Sequence, residues 1–353
     1  MLYNAYTLYI IYNKQYKYTF IFIFIMVKIV FWDNCLCERG TTVSLFNYAY
    51  YNKTLLGNES VIMYNTTRIE NDAEVIAKFQ KNFQVIGVPD FSMVDNILSN
   101  INCDIFYITK AGGYEGQVSR VCKTVVHCVF NYSQPHGNVY AGISNWINGG
   151  NGINGDRVFP VVPYMVDLPA DTDKNMRKEL NIPEDAVVYG RHGGYGQFDI
   201  PYVHNIVYNV AKEYPNIYFL FLNTQKFCPD LPNIIHLGRI IDIEKKIEFI
   251  NTCDAMLWAR TGGESFGLSI GEFSIKNKPI FVTHSGEGFG VNKGDIAHVY
   301  LLGDKGLWYN ETNLKDMLIN FDKKEMAKKD WNAYKDYTPE KVMQIFKKEF
   351  IDN

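Results

Sequence analysis

The run Thr261-Gly-Gly-Glu-Ser-Phe-Gly-Leu-Ser-Ile-Gly-Glu-Phe273 places two carboxylates, Glu264 and Glu272, eight residues apart around glycine-rich backbone. Gly262, Gly263 and Gly267 let the main chain approach a ligand closely. A helix expected over Ser269 to Lys276 would offer unpaired N–H groups at its start, where an anion such as a phosphate or diphosphate is stabilised. Glu272 lies eight residues beyond Glu264, about two turns away, within reach of the hydroxyls of a ligand whose phosphates sit at the helix start. One motif thus combines phosphate donors with two acceptors for hydroxyls.

Three further places carry chemistry-bearing side chains. Arg191, in Tyr189-Gly-Arg-His-Gly-Gly-Tyr-Gly-Gln197, ends an apolar strand, and its fixed fork of donors suits a diphosphate leaving group in a cleft between domains. His192 beside it is a second cleft residue. Lys123-Thr-Val-Val-His127 puts a histidine at the C-terminal edge of a parallel strand, where ligands of open α/β sheets bind. Gln134-Pro-His136-Gly lies in a loop open to an acceptor, and Gly40, in Cys37-Glu-Arg-Gly-Thr-Thr42, lines the same cleft.

Other chemistries fit poorly. No Gly-x-Gly-x-x-Gly follows the first strand; the one match, Gly150-Asn-Gly-Ile-Asn-Gly155, lies in an expected surface loop that runs on to prolines, which argues against a dinucleotide enzyme. A P-loop is absent. Gly267-Leu-Ser-Ile-Gly271 spells a hydrolase elbow, but Ser269 would lie inside the helix. A net charge of -3 with no basic run gives no reason to expect nucleic acid. The seven cysteines are odd in number and mostly set in apolar runs, as reduced core thiols of a cytoplasmic protein would be. The Cys35-x-Cys37 pair has no second ligand pair nearby, so no metal site is expected.

These residues must be positioned by two cores, since 353 residues with 47% hydrophobic content exceed what one core holds comfortably. From Met26 onward, short apolar runs alternate with longer amphipathic ones, as βαβ units do. Strands are expected at Lys28–Trp32, Ser60–Tyr64, Phe83–Val85, Asp104–Thr109 and Lys123–Phe130, with a helix from Thr41 capped by Thr41 or Thr42. A second series follows at Val187–Tyr189, Tyr218–Leu222, Ile234–Leu237, Ala255–Trp258 and Pro279–Val282. The expected division is an N-terminal Rossmann-like domain over 26–168, a C-terminal Rossmann-like domain over 175–338, and a terminal helix in 339–353 that packs back on the N-terminal domain. Residues 1–25 are read as an extension outside the fold. Lys14 and Lys17 interrupt their apolar run, leaving it too short for a spanning helix; peripheral membrane contact is the alternative for this segment.

Glu264-x7-Glu272, with Ser265-Phe-Gly267 and the trailing Asn277-Lys-Pro-Ile-Phe-Val282, resembles the Glu-x7-Glu signature of retaining glycosyltransferases of the large family 4 type. The resemblance implies the GT-B fold: α/β, two facing Rossmann-like domains, parallel sheets with helices on both faces. It also implies that Glu272 holds the ribose, Glu264 the donor sugar, and the backbone of Ser265, Phe266, Gly267 and Leu268 the diphosphate. His127 and Arg191 would join Glu264 in catalysis, with His127 beside the reacting sugar. The implied activity is metal-independent transfer of a sugar, with retention, from a nucleotide-diphosphate donor to a glycan, lipid or small-molecule acceptor, with no cofactor. The sequence departs from the family after Arg191: the expected lysine is replaced by Gly196 and Gln197, so one of two cations is missing, and His192 or Lys293 would have to substitute. The Gly40 loop has one glycine where two are usual. A non-catalytic nucleotide-sugar or glycan-binding protein of the same fold is the alternative, and a two-domain epimerase or phosphorylase is a further rival.

Overall fold

A computed structural model describes residues 6–13, 16–24, 26–147, 158–168, 172–284 and 295–353. The Gly150–Gly155 loop and Lys293 lie outside the described residues. Strands β1 (Tyr6–Asn13) and β2 (Tyr16–Phe24) pair antiparallel with each other, Tyr6 opposite Phe24, and with neither of the larger sheets.

The first sheet comprises β3 (Lys28–Asp33), β4 (Glu59–Asn65), β5 (Gln84–Val88), β6 (Ile105–Lys110), β7 (Lys123–Cys128) and β8 (Val139–Gly142). All are parallel, in the order β5-β4-β3-β6-β7-β8, with Val30 opposite both Val61 and Phe106. Ile29 to Asp33 are all buried, as expected for a central parallel strand covered on both faces. Helices α1 (Gly40–Thr54), α2 (Ala73–Gln80) and α3 (Val94–Asn100) fall between its strands. Asp72 caps α2 by accepting from the N–H groups of Glu74 and Val75. The threonine cap expected for α1 is corrected: Arg39 holds the cap position without a side-chain bond, and Thr42 instead donates to the buried Asp33 carboxylate at 2.7 Å.

The second sheet repeats the plan. It contains β9 (Val187–His192), β10 (Ile217–Leu222), β11 (Ile234–Leu237) and β12 (Ala255–Leu257), followed, after a two-residue strand β13 (Gly263–Glu264), by β14 (Ile280–Val282). The short β15 (Asp295–Ile296) pairs with β13, and β16 (Gly306–Trp308) completes the sheet. The order is β11-β10-β9-β12-β14-β16, again parallel. Its helices include α4 (Pro201–Glu213), opened by proline at the first turn, α5 (Ile243–Thr252), α6 (Leu268–Ile275) and α7 (Ala297–Leu302). A C-terminal helix, Pro339–Phe346, lies against the first sheet, where Phe346 stacks on Tyr48 at 5.2 Å between ring centroids.

Close approach of β9 to the helices covering it depends on Gly190. A Cβ there would lie 2.2 Å from the Cys253 sulfur and 3.2 Å from the Phe273 ring. Gly190→Ala is therefore expected to lower the unfolding free energy by about 1–3 kcal/mol through overpacking, measurable by denaturant titration. An unchanged midpoint would show that the sheet has room to shift.

Candidate functional site

The α6 turn is built as its glycines suggest. Gly267 caps the helix with φ 82°, a left-handed conformation that glycine adopts without a Cβ penalty. The Tyr334 hydroxyl donates to the Phe266 carbonyl at 2.7 Å, and Phe266 is buried among Tyr164, Tyr334 and Tyr337, which fixes the turn. The first amides of α6, from Leu268 on, are thereby left to face whatever lies before the helix. Leu268 meets the first domain there: a Cβ on Gly40 would stand 3.5 Å from its side chain.

Glu272, one turn into α6, is buried between a lysine and a histidine. Lys246 of α5 donates to Oε1 at 2.5 Å, and Nε2 of His192 lies 2.9 Å from Oε2. Oε2 is buried, with His192 as its ion-pair neighbour. Burial raises the Glu272 pKa, but Lys246 and His192 more than offset it and hold the group at about 2. The His192 ring stacks on Phe273, and burial lowers its pKa despite the neighbouring carboxylate.

Arg191, at the end of β9, is also buried. Its guanidinium donates to Thr224 Oγ1 at 2.7 Å, to the Asn223 carbonyl at 3.3 Å and to the Gly194 carbonyl at 2.9 Å. Burial pulls its pKa down to about 10, with Glu264 acting in the opposite direction, so it stays charged at neutral pH. Glu264 accepts from the Trp258 indole at 2.9 Å and from Arg260 at 3.1 Å. Arg191, His192, Glu264 and Glu272 thus form one electrostatically connected group beside the start of α6.

The two other candidate histidines, His127 and His136, have partners of their own. His127 has no exposure: Nδ1 is 2.6 Å from the Tyr107 hydroxyl, Nε2 is 2.8 Å from the Val162 carbonyl, and the Phe350 ring packs against it. Both ring nitrogens are thus taken up by partners within the protein. The folded C-terminal segment supplies part of that cover. Burial lowers the pKa of His127 to about 4 against an ordinary 6.5, so the unfolded chain binds the extra proton and stability is lost as pH falls from 6.5 towards 4. His127→Gln is expected to flatten that slope by up to about 1.4 kcal/mol per pH unit in denaturant titrations; an unchanged slope would contradict a buried neutral imidazole. His136 was expected to line the cleft. It lines a cavity of about 280 Å³ with Tyr140, Phe159, Glu349 and Asn353, which shares no residue with the α6 group.

Sequence reasoning missed Lys246, Trp258 and the first-domain cluster of Asp33, Arg39 and Thr42. Arg39 pairs with the buried Asp33, bonds the Cys35 carbonyl, and leaves its side chain 40% exposed at the loop facing α6. Lys246 is one of two adjacent lysines on an amphipathic helix, and nothing in the pattern marks which one turns inward.

No family model matches the chain. No curated protein matches it in sequence. Solved structures match it in fold. A glycosyltransferase from Rickettsia africae ESF-5 is 14% identical with a TM-score of 0.64, covering 93% of this chain and 100% of its own. Anabaena HepE, solved in complex with UDP and glucose, is 13% identical with a TM-score of 0.63 over 91% of this chain and 98% of its own. WaaG, a glycosyltransferase involved in lipopolysaccharide biosynthesis, is 12% identical with a TM-score of 0.54 over 90% and 99%. At these identities the likeness carries the fold, which is GT-B: two sheets of six parallel strands, each with helices around it. No helix among the described residues is long and apolar enough to cross a membrane.

Proposed function

We propose that the chain transfers a sugar from a nucleotide-diphosphate donor to a glycan, lipid or small-molecule acceptor, with retention at the transferred carbon. The observation that carries this reading is the Glu272 carboxylate, held charged by Lys246 beside the Gly267 turn that opens α6. A ribose hydroxyl donating to that carboxylate would make a charge-assisted hydrogen bond. With the ribose there, the diphosphate falls at the Gly267 turn and near Arg191, and the sugar towards Glu264. Arg191 and the α6 amides would stabilise the charge that grows on the leaving diphosphate, in place of a metal ion. The structural neighbour solved with UDP and glucose supports the ligand class.

A second reading, a nucleotide-sugar-binding protein without transfer activity, is favoured by Gly196 and Gln197 standing where a second cation is expected. A thermal-shift screen of nucleotide sugars, followed by a hydrolysis assay on those that stabilise, separates the two. Stabilisation with nucleoside diphosphate release supports transfer; stabilisation alone supports the binding protein. No stabilisation by any nucleotide sugar would remove both. Consumption of inorganic phosphate would point to a phosphorylase.

A further inference from the structure

Remote from the Glu272 group, two thiols meet where neighbouring strands begin. Cys103 lies two residues before β6 and Cys122 one residue before β7, and these strands pair in parallel with Ile105 opposite Lys123. Their sulfurs are 3.6 Å apart, and both residues are half-buried, flanked by the exposed Asn102 and Val121. Neighbouring parallel strands run about 4.8 Å apart, inside the Cα separations that a disulfide spans without backbone movement. No catalytic or binding role assigned above uses either thiol.

We propose that Cys103 and Cys122 are a modification site that takes a low-molecular-weight disulfide of the glutathione class and closes to an intramolecular disulfide. The Cys122 thiolate attacks one sulfur of the small disulfide, forming a mixed disulfide and expelling one small thiolate. Cys103, deprotonated by solvent base, then attacks the Cys122 sulfur and expels the second. Two protein thiols are oxidised and one small disulfide is reduced to two thiols. The order of attack follows from the pair itself: the contact between the two sulfurs lowers the Cys122 thiol, whereas Cys103 is raised by the same contact and by burial. Cys35 and Cys37 also approach, at 3.7 Å, but their single-residue spacing forces a tight ring and burial pushes the Cys37 thiol up to about 12.

The test is incubation of the full chain with oxidised glutathione under native conditions, followed by alkylation, digestion and mass spectrometry. The expected product is a peptide pair joined through Cys103 and Cys122, lacking two hydrogens. Cys103→Ser should stop at a glutathione adduct on Cys122, and Cys122→Ser should slow thiol loss at Cys103 by about tenfold or more. Alkylation of both residues after oxidation, or a link formed only between Cys35 and Cys37, would overturn the assignment. Circular dichroism of each variant confirms that it is folded.

Discussion

Arg191→Ala is expected to lower kcat for nucleoside diphosphate release by about 10²–10³, or about 3–4 kcal/mol of transition-state stabilisation. The side chain is held in place before any ligand arrives, by Thr224, the Asn223 carbonyl and the Gly194 carbonyl, so its charge costs little reorganisation when the leaving group ionises. Its lowered pKa, about 10, still leaves it a cation at the pH of any ordinary assay. Removing it strands two carbonyls, so a loss of activity could also reflect a loosened loop. Arg191→Lys addresses this: it keeps the charge without the planar fork, and should recover part of the rate if charge dominates. Wild-type turnover by a folded Arg191→Ala chain would exclude Arg191 from catalysis.

Glu272→Gln is expected to weaken nucleoside diphosphate binding by about 10–100-fold, equivalent to about 1.4–2.8 kcal/mol. The amide can still accept from a hydroxyl, but it loses the charge that strengthens such a bond and leaves Lys246 without its anion. The same substitution has a stability signature. The folded pKa of Glu272 lies below its ordinary 4.5, so the carboxylate stabilises the fold above pH 4.5, and that contribution fades as pH falls towards about 2. The stability gap between wild type and Glu272→Gln should therefore narrow across that window. A gap that widens on acidification would mean that the carboxylate is not paired as described.

Much of the scaffold was legible in the sequence, because a parallel strand buried on both faces is written as an apolar run. Lys28–Asp33 and Ile217–Leu222 emerge close to their expected bounds. The short edge strands Val139–Gly142 and Gly306–Trp308 were not read, since each contains a glycine and follows a turn-prone Gly137-Asn138 or Gly303-Asp304, so neither stands out as an apolar run. The α6 turn was readable because Gly267 performs a local backbone task. What escaped was long-range. The partner of Glu272 comes from α5, 26 residues away. The terminal helix is expected to pack back on the first domain, but no strand-end pattern reveals that its Phe350 covers His127.

The most direct measurement is calorimetric titration of the full chain with UDP, GDP and ADP. Saturable binding of at least one nucleoside diphosphate at a single site, weakened in Glu272→Gln, is the expected result. A folded chain that binds none of them, or binds equally well after Glu272→Gln, would contradict the placement of a nucleotide sugar at the start of α6.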